Sequence, residues 1–119
     1  MKANVLASNF IENDNVPWQE VEKGIHRKLM AYDDRLMLVK VRFEAGGVGA
    51  LHQHPHSQIT QVESGVFEIE IDGQKKMLQQ GDAYYIPPDT LHGAVCIEAG
   101  VLIDVFSPMR EDFIKSIIL

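Results

Sequence analysis

The sequence predicts an all-β fold, a sandwich or barrel formed by one domain. Short runs rich in β-branched and aromatic residues recur along the chain, and glycine, aspartate and proline turns separate them. Only the last stretch has a helical pattern. The chain has 119 residues, of which 45% are hydrophobic, so it has the size and composition of one domain with its own core. We expect a single domain over 1–119, with an N-terminal arm at 1–24 and a helical tail at 107–119.

The strand pattern is clearest in seven runs. They are Ile25–Met30, Leu36–Phe43, Val66–Ile71, Gln74–Leu78, Ala83–Ile86, Ala94–Glu98 and Val101–Phe106. Asp33-Asp34 predicts a hairpin, and Asp72-Gly73 predicts another because this dipeptide suits the tight turns that join antiparallel strands. Ala99-Gly100 predicts a third tight turn, and Pro87-Pro88 ends the run before it because proline lacks the amide donor.

The C-terminal segment carries signals for the start of a helix. Ser107 is a residue type that caps helices, and Pro108 suits the first helical position. These signals predict a short helix over Met109–Ile114.

Composition excludes several classes of partner and location. There are 17 acidic and 11 basic residues, a formal charge of −6, and no basic run, so nucleic-acid binding is not expected. Cys96 is the single cysteine and cannot form an internal disulfide, which is typical of a reducing compartment. The N-terminus lacks the apolar run of a signal peptide, and no stretch approaches the roughly 20 apolar residues of a membrane span. We expect a cytoplasmic protein without a membrane partner.

The last two runs predict a homodimer. Alternation along the strands puts Leu102, Asp104 and Phe106 on one face. The opposite face carries five apolar residues, Val95, Ile97, Val101, Ile103 and Val105. The second face is too apolar to lie in water, so a second sheet or a second copy of the chain should cover it. We expect a homodimer.

Three histidines and one glutamine form a candidate metal site. His52 and His54 are two residues apart, so on a strand both rings project from one face. Gln58 keeps the same parity if residues 55–57 stay extended, and His92 must arrive from another strand. Three imidazoles and one oxygen ligand leave open positions, as catalytic metal sites do. We expect one divalent ion; the ligand types leave nickel, manganese, zinc and iron open.

These segments resemble the two motifs of the cupin superfamily, which implies a jelly-roll β-barrel with a short C-terminal helix. In the first motif Gly46, His52, His54 and Gly65 match the pattern, and Gln58 replaces the usual glutamate. In the second motif Gly81, Pro87 and His92 match; Asp89 replaces the usual glycine, and Cys96 replaces the usual asparagine.

A closer resemblance covers nearly the whole chain. The segments 36–43, 52–58, 86–88, 92–96 and 102–113 look like the small cupins of pectin breakdown, the KdgF type, which share glutamine at the fourth ligand position. The resemblance implies metal-dependent opening of 4,5-unsaturated monouronates, from pectin or alginate, to linear 5-keto-4-deoxyuronates. It also implies roles for three residues near the C-terminus: Asp104 and Arg110 as catalytic groups, with Arg110 and Phe106 contacting the sugar acid.

Each of these assignments has an alternative. Asp104, mid-strand among apolar neighbours, suits proton transfer but could be a structural carboxylate. Arg110 suits a bidentate grip on the substrate carboxylate but could form a surface ion pair with Glu111 or Asp112. Phe106 could be plain core.

The function itself also has alternatives. A metal-dependent dioxygenase remains open, because iron held by three histidines can activate oxygen. A non-catalytic sugar-binding module remains open as well. In the ring-opening interpretation, four neutral ligands leave the ion its full charge, which favours stabilisation of an anionic enolate.

Overall fold

The protein is an antiparallel β-structure with a short C-terminal helix. The computed structural model describes residues 8–118. The strands are β1 Gln19–Glu22, β2 Ile25–Tyr32, β3 Met37–Phe43, β4 Val48–His52, β5 Ser57–Ile71, β6 Gln74–Gln79, β7 Ala83–Ile86 and β8 His92–Ser107; a 3-10 turn lies at Asn13–Asn15, and the helix α1 is Glu111–Ile118. The all-β prediction is therefore confirmed, including the helix at the C-terminal end.

Two long strands, β5 and β8, form the middle of the fold. They pair with each other along almost their whole length, from Ser57 with Ser107 to Ile71 with His92. In one half of this pair, β3 pairs with β8, β2 with β3 and β1 with β2. In the same half, β7 pairs with β5. The other half has β4 beside β8 and β6 beside β5. The two halves therefore belong to two layers, and the chain passes from one layer to the other within β5 and β8.

The passage between layers lies where Gly65 and Gly100 face each other. The register of the β5–β8 pair shifts between Val62 and Phe67. A Cβ on Gly65 would lie 2.6 Å from the Glu98 carbonyl oxygen, and the φ of Gly65 is +82°. Only glycine accommodates both the close approach and this backbone conformation.

The prediction of a tight turn at Ala99-Gly100 is wrong. Residues 92–107 form one strand, β8, because its partner β5 bends with it and keeps the antiparallel pairing on both sides of the shift. Gly100 is needed because two backbones pass close to each other at this point. In a sequence, a glycine required for such a close approach cannot be distinguished from a glycine required for a turn.

The other turn signals gave the correct structure. β2 and β3 form the hairpin predicted at Asp33-Asp34, and β5 and β6 form the one predicted at Asp72-Gly73, where both residues have positive φ. β7 ends at Ile86, before the two prolines. The strands β1 and β4 and the first half of β5 were not predicted, because their residues are mostly exposed or polar.

The core fills the space between the layers. One cluster contains Ile25, Phe43, Val62, Phe67, Ile69, Cys96 and Leu102; a second contains Leu29, Met37, Val39, Phe106, Met109 and Ile114. The second cluster joins α1 to the sheet through Ile114. Within the described residues, no helix is long and apolar enough to cross a membrane.

The helix begins later than its sequence signals indicated. Ser107 still belongs to β8, and its Oγ donates to the Arg35 carbonyl instead of capping a helix. The first helical carbonyl is that of Arg110, which accepts the amides of Phe113 and Ile114. The predicted start at Met109 is therefore corrected to Glu111.

Candidate functional site

Strand pairing brings the three histidines together. His52, at the end of β4, pairs with His92, at the start of β8, and their ring centroids are 4.4 Å apart. His54 follows β4, and its ring centroid lies 4.9 Å from that of His92. One ring nitrogen of each histidine lies within 4.8 Å of the corresponding nitrogens of the other two. The three imidazoles are therefore positioned to bind a metal ion.

Backbone carbonyls orient two of these rings. The Nδ1 atoms of His52 and His92 lie 2.8 Å from the carbonyl oxygens of Ala50 and Thr90 respectively. A carbonyl oxygen only accepts, so each Nδ1 carries the proton and each Nε2 keeps a lone pair. The Nε2 of His92 is buried and has no hydrogen-bond partner among residues 8–118. A buried lone pair beside two other imidazoles fits a metal ligand.

Burial favours the neutral imidazole at two of the three positions, His54 and His92. Loss of water, together with the charge of the nearby Arg110 guanidinium, lowers the pKa of His54 to about 4. Loss of water also lowers the pKa of His92, although its bond to the Thr90 carbonyl opposes the shift. Neutral imidazole is the form that binds metal ions, so no proton has to be displaced from His54 or His92 near pH 7.

Gln58 reaches the histidines by a different path from the predicted one. The chain bends at Pro55 and His56, so the segment from His54 to Gln58 is not one extended run, and Gln58 belongs to the new strand β5, which begins at Ser57. Its Oε1 nevertheless lies 3.0 Å from Nε2 of His54, and its Nε2 donates to Thr60 Oγ1 at 2.9 Å. The amide oxygen therefore faces the histidine cluster.

Asp104 is a buried carboxyl on β8. It is 8% exposed, and Thr60 Oγ1 donates to its Oδ1 at 2.6 Å. Burial raises the pKa of Asp104 to about 6, although the Thr60 bond and the positive charges of Arg110 and Arg27 oppose the shift. A carboxyl with this pKa exchanges its proton close to neutral pH, as a group that transfers protons must.

Arg110 is buried and bound on one side. Its Nε and Nη2 donate to the two carboxylate oxygens of Asp112 at 3.1 and 2.8 Å, and its guanidinium lies 4.1 Å from the Phe113 ring centroid. The ion pair with Asp112 therefore exists, but Arg110 itself is only 8% exposed. A guanidinium has five N–H donors, so three remain beyond these two bonds.

Phe106 belongs to the core and to the site. It is 2% exposed and packs in the cluster that joins α1 to the sheet. Its ring also lies edge-on to His54, with 5.7 Å between centroids. Phe106 is therefore a core residue whose ring also lies beside His54, and its contact with a sugar stays a prediction.

One cavity of about 350 Å³ joins these groups. Its walls include His52, Gln58, His92, Asp104, Phe106 and Arg110. The volume is at the lower end of the range typical of small-molecule sites, on the order of 300 to 1,000 Å³. The walls are mostly apolar, with charged and imidazole groups converging at one place.

Four further residues at this site escaped sequence reasoning. They are Arg27, Thr60, Tyr84 and Phe113. Arg27 lies between the buried residues Ile25 and Leu29 of β2, so alternation along the strand could have placed it on the inner face. Thr60 and Tyr84 had no comparable signal, because their strands were short or unpredicted. Phe113, which stacks on Arg27 at 3.8 Å, depends on how α1 packs.

Comparison with known proteins agrees with this architecture. The model of the cupin domain family matches residues 39–106. The pectin degradation protein KdgF of Dickeya dadantii is 46% identical over 107 residues, which are 88% of this chain and 97% of that protein.

Solved structures show the same likeness. KdgF from Halomonas sp. is 48% identical, with a TM-score of 0.85 over 87% of this chain and 98% of that one. An RmlC-like cupin from Shewanella frigidimarina is 38% identical, with a TM-score of 0.89 over 92% of this chain and 98% of that one. These matches span nearly the full length of each relative. The chain therefore belongs to the cupin family and, within it, to the KdgF-type cupins of pectin degradation.

Proposed function

We propose that this protein converts 4,5-unsaturated monouronates to linear 5-keto-4-deoxyuronates in a metal-dependent reaction. The observation that carries the proposal is the buried Asp104 carboxyl, with its pKa near 6, in one cavity with the histidine cluster and Arg110. The relatives named for pectin degradation support a uronate as the substrate.

The reaction is an isomerisation that needs one proton removed and one added. The C1 hydroxyl of the cyclic hemiacetal loses its proton, and the bond between C1 and the ring oxygen breaks. C1 becomes an aldehyde, and the ring oxygen becomes the enolate oxygen on C5. Protonation of C4 then gives the C5 ketone, so the one proton lost from O1 is balanced by the one gained at C4. No atom is gained or lost, so a single group that accepts and returns a proton is sufficient.

Asp104 is suited to that role. Its pKa of about 6 means that both protonation states are accessible near neutral pH. Thr60 binds one carboxylate oxygen, and Asp104 faces the cavity. We therefore assign proton transfer at C4 to Asp104.

Arg110 is suited to holding the C6 carboxylate of the substrate. Asp112 and the ring of Phe113 fix the guanidinium, so little side-chain entropy is lost when a ligand binds. The three remaining N–H donors include a pair on one edge, which matches a carboxylate. Phe106 would pack against the sugar ring beside it.

One divalent ion would be held by His52, His54, Gln58 and His92. Such an ion supplies Lewis-acid stabilisation of negative charge on substrate oxygens. All four ligands are uncharged, and the ligand set accommodates nickel, manganese, zinc or iron.

The test uses unsaturated galacturonate released from oligogalacturonate by a lyase. The expected result is that the protein accelerates the loss of the alkene's ultraviolet absorbance above the spontaneous rate. Asp104→Asn should reduce the acceleration by roughly 100-fold or more while the metal content stays that of the parent protein. Asp14→Asn, an exposed change of the same type, should leave it unaltered. No acceleration by the parent protein would refute the proposal.

We also propose a homodimer formed through the outer face of the β7–β5–β8–β3 layer. Tyr85 pairs with Ile59, Ile59 with Val105, and Val105 with Leu38, which makes an apolar row across four strands. Ile59 and Tyr85 are 55% and 56% exposed in the single chain. Sedimentation at micromolar concentration should show a dimer, and Ile59→Glu should dissociate it. A parent protein that sediments only as a monomer would contradict this assignment.

A further inference from the structure

Thr60 lies between the candidate metal ligand and the candidate proton-transfer group. It is fully buried near the start of β5, two residues after Gln58, and pairs across the sheet with Asp104 on β8. It lies within the first motif, between Gln58 and Gly65, but is not one of the positions that define the motif. Its hydroxyl bonds Gln58 on one side and Asp104 on the other.

The directions of these bonds follow from the chemistry of the three groups. A hydroxyl has one proton to donate, an amide nitrogen only donates, and a carboxylate only accepts. Thr60 Oγ1 therefore gives its proton to Asp104 Oδ1 at 2.6 Å and accepts a proton from Gln58 Nε2 at 2.9 Å. The short oxygen–oxygen distance is typical of a bond to a charged carboxylate.

The Thr60 hydroxyl thereby selects one of the two orientations of the Gln58 amide. If the amide were reversed, Gln58 Oε1 and Asp104 Oδ1 would both face Thr60, which has one proton for the two acceptors. One pair of oxygens would then face each other in a buried place without a proton between them, which disfavours the reversed orientation. In the observed orientation the amide oxygen lies toward His54, at 3.0 Å from its Nε2.

We propose that Thr60 is a positioning residue that holds the Gln58 amide oxygen toward the three imidazoles and links it to Asp104; this rests on the metal-ligand role proposed for Gln58. Without the hydroxyl, the amide can rotate and present its NH₂ group, which cannot bind a cation. A merely structural Thr60 would affect the stability of the fold and not the affinity for metal.

The test measures metal affinity directly, by calorimetric titration of metal-free protein with Ni²⁺ and, separately, with Mn²⁺. Thr60→Val keeps the shape and removes the hydroxyl, and Thr60→Ala removes it with less risk of overpacking. Both variants should lower the metal affinity by about 10-fold or more, because a loss of this size is typical when a group that orients a metal ligand is removed. Thr60→Ser keeps the hydroxyl and should bind within about threefold of the parent protein. Thermal unfolding of the metal-free variants verifies that each is folded.

A double-mutant comparison shows whether Thr60 acts through Gln58. In the Gln58→Ala background, Thr60→Val should have no further effect on metal affinity, because the amide that it orients is gone. Parent-like affinity in Thr60→Val and Thr60→Ala, or an equal loss with and without Gln58, would overturn the inference. Parent-like affinity in Gln58→Ala would overturn the ligand role of Gln58 and this inference with it. The absorbance assay of the parent protein decides separately whether ring opening occurs.

Discussion

Replacing Asp104 by asparagine should stabilise the metal-free fold above pH 6, although it removes the proposed catalytic group. The carboxyl is buried, and its pKa rises from the ordinary 3.8 to about 6 in the folded chain. A raised pKa means that the fold favours the protonated form. The contribution of Asp104 to stability is therefore fully present below pH 3.8 and is lost as pH rises through about 6.

The size of the effect follows from the pKa difference. About two pKa units at about 1.36 kcal/mol each give a cost of about 3 kcal/mol for keeping the carboxylate ionised above pH 6. Asparagine avoids this cost and still accepts the Thr60 hydroxyl bond through its amide oxygen. We expect the gain of Asp104→Asn over the parent protein to be small at pH 4, to grow through pH 6 and to level off above it.

Urea unfolding with excess chelator at pH 4, 5, 6, 7 and 8 measures this difference. The chelator matters because a bound cation would itself favour the carboxylate. Asp14→Asn, at an exposed site, should change the free energy of unfolding by less than about 0.5 kcal/mol at every pH. A gain from Asp104→Asn that is independent of pH, or a loss of stability at pH 8, would refute the assignment of a buried carboxyl with a raised pKa.

Other substitutions test separate parts of the site and the fold. Gln58→Glu should lower turnover by roughly 10-fold or more without weakening metal binding, because a carboxylate ligand cancels part of the ion's charge; unchanged turnover at equal metal content would contradict the neutral-ligand hypothesis. Arg110→Lys should raise KM for the unsaturated uronate by roughly 10-fold, since lysine offers neither the planar fork nor the stack on Phe113, whereas the exposed Arg35→Lys should leave KM as it is. Gly65→Ala should cost more than about 3 kcal/mol of unfolding free energy, because its Cβ would meet the Glu98 and Ala99 carbonyls at 2.6 and 2.7 Å. Gly73→Ala, at a similar φ but with open space, should cost only about 1 kcal/mol; equal losses in chemical denaturation would show that the close crossing is not rigid.

Local signals in the sequence predicted most of the sheet. Hairpins at Asp33-Asp34 and Asp72-Gly73 follow from turn residues between β-rich runs, and both are present. The glycine at 100 was misread because a turn and a close crossing of two strands both demand a residue without a side chain. Only the path of the partner strand β5 distinguishes them, and the residues of β5 that face Gly100 are Ser64 and Gly65, 36 and 35 positions earlier in the chain.

The sequence alone determined the residue types of the candidate site. It also determined that Asp104 and Phe106 lie on one strand. His-x-His, a third histidine after a double proline, and Asp104 and Phe106 on one face of a strand can all be read from spacing. The tertiary structure decided which atoms meet: the bend at Pro55 turns Gln58 toward His54, Thr60 joins Gln58 to Asp104, and α1 brings Phe113 between two arginines. Spacing along a strand determines the face on which a side chain lies, whereas burial, pKa and hydrogen-bond direction depend on groups from distant strands that packing brings close.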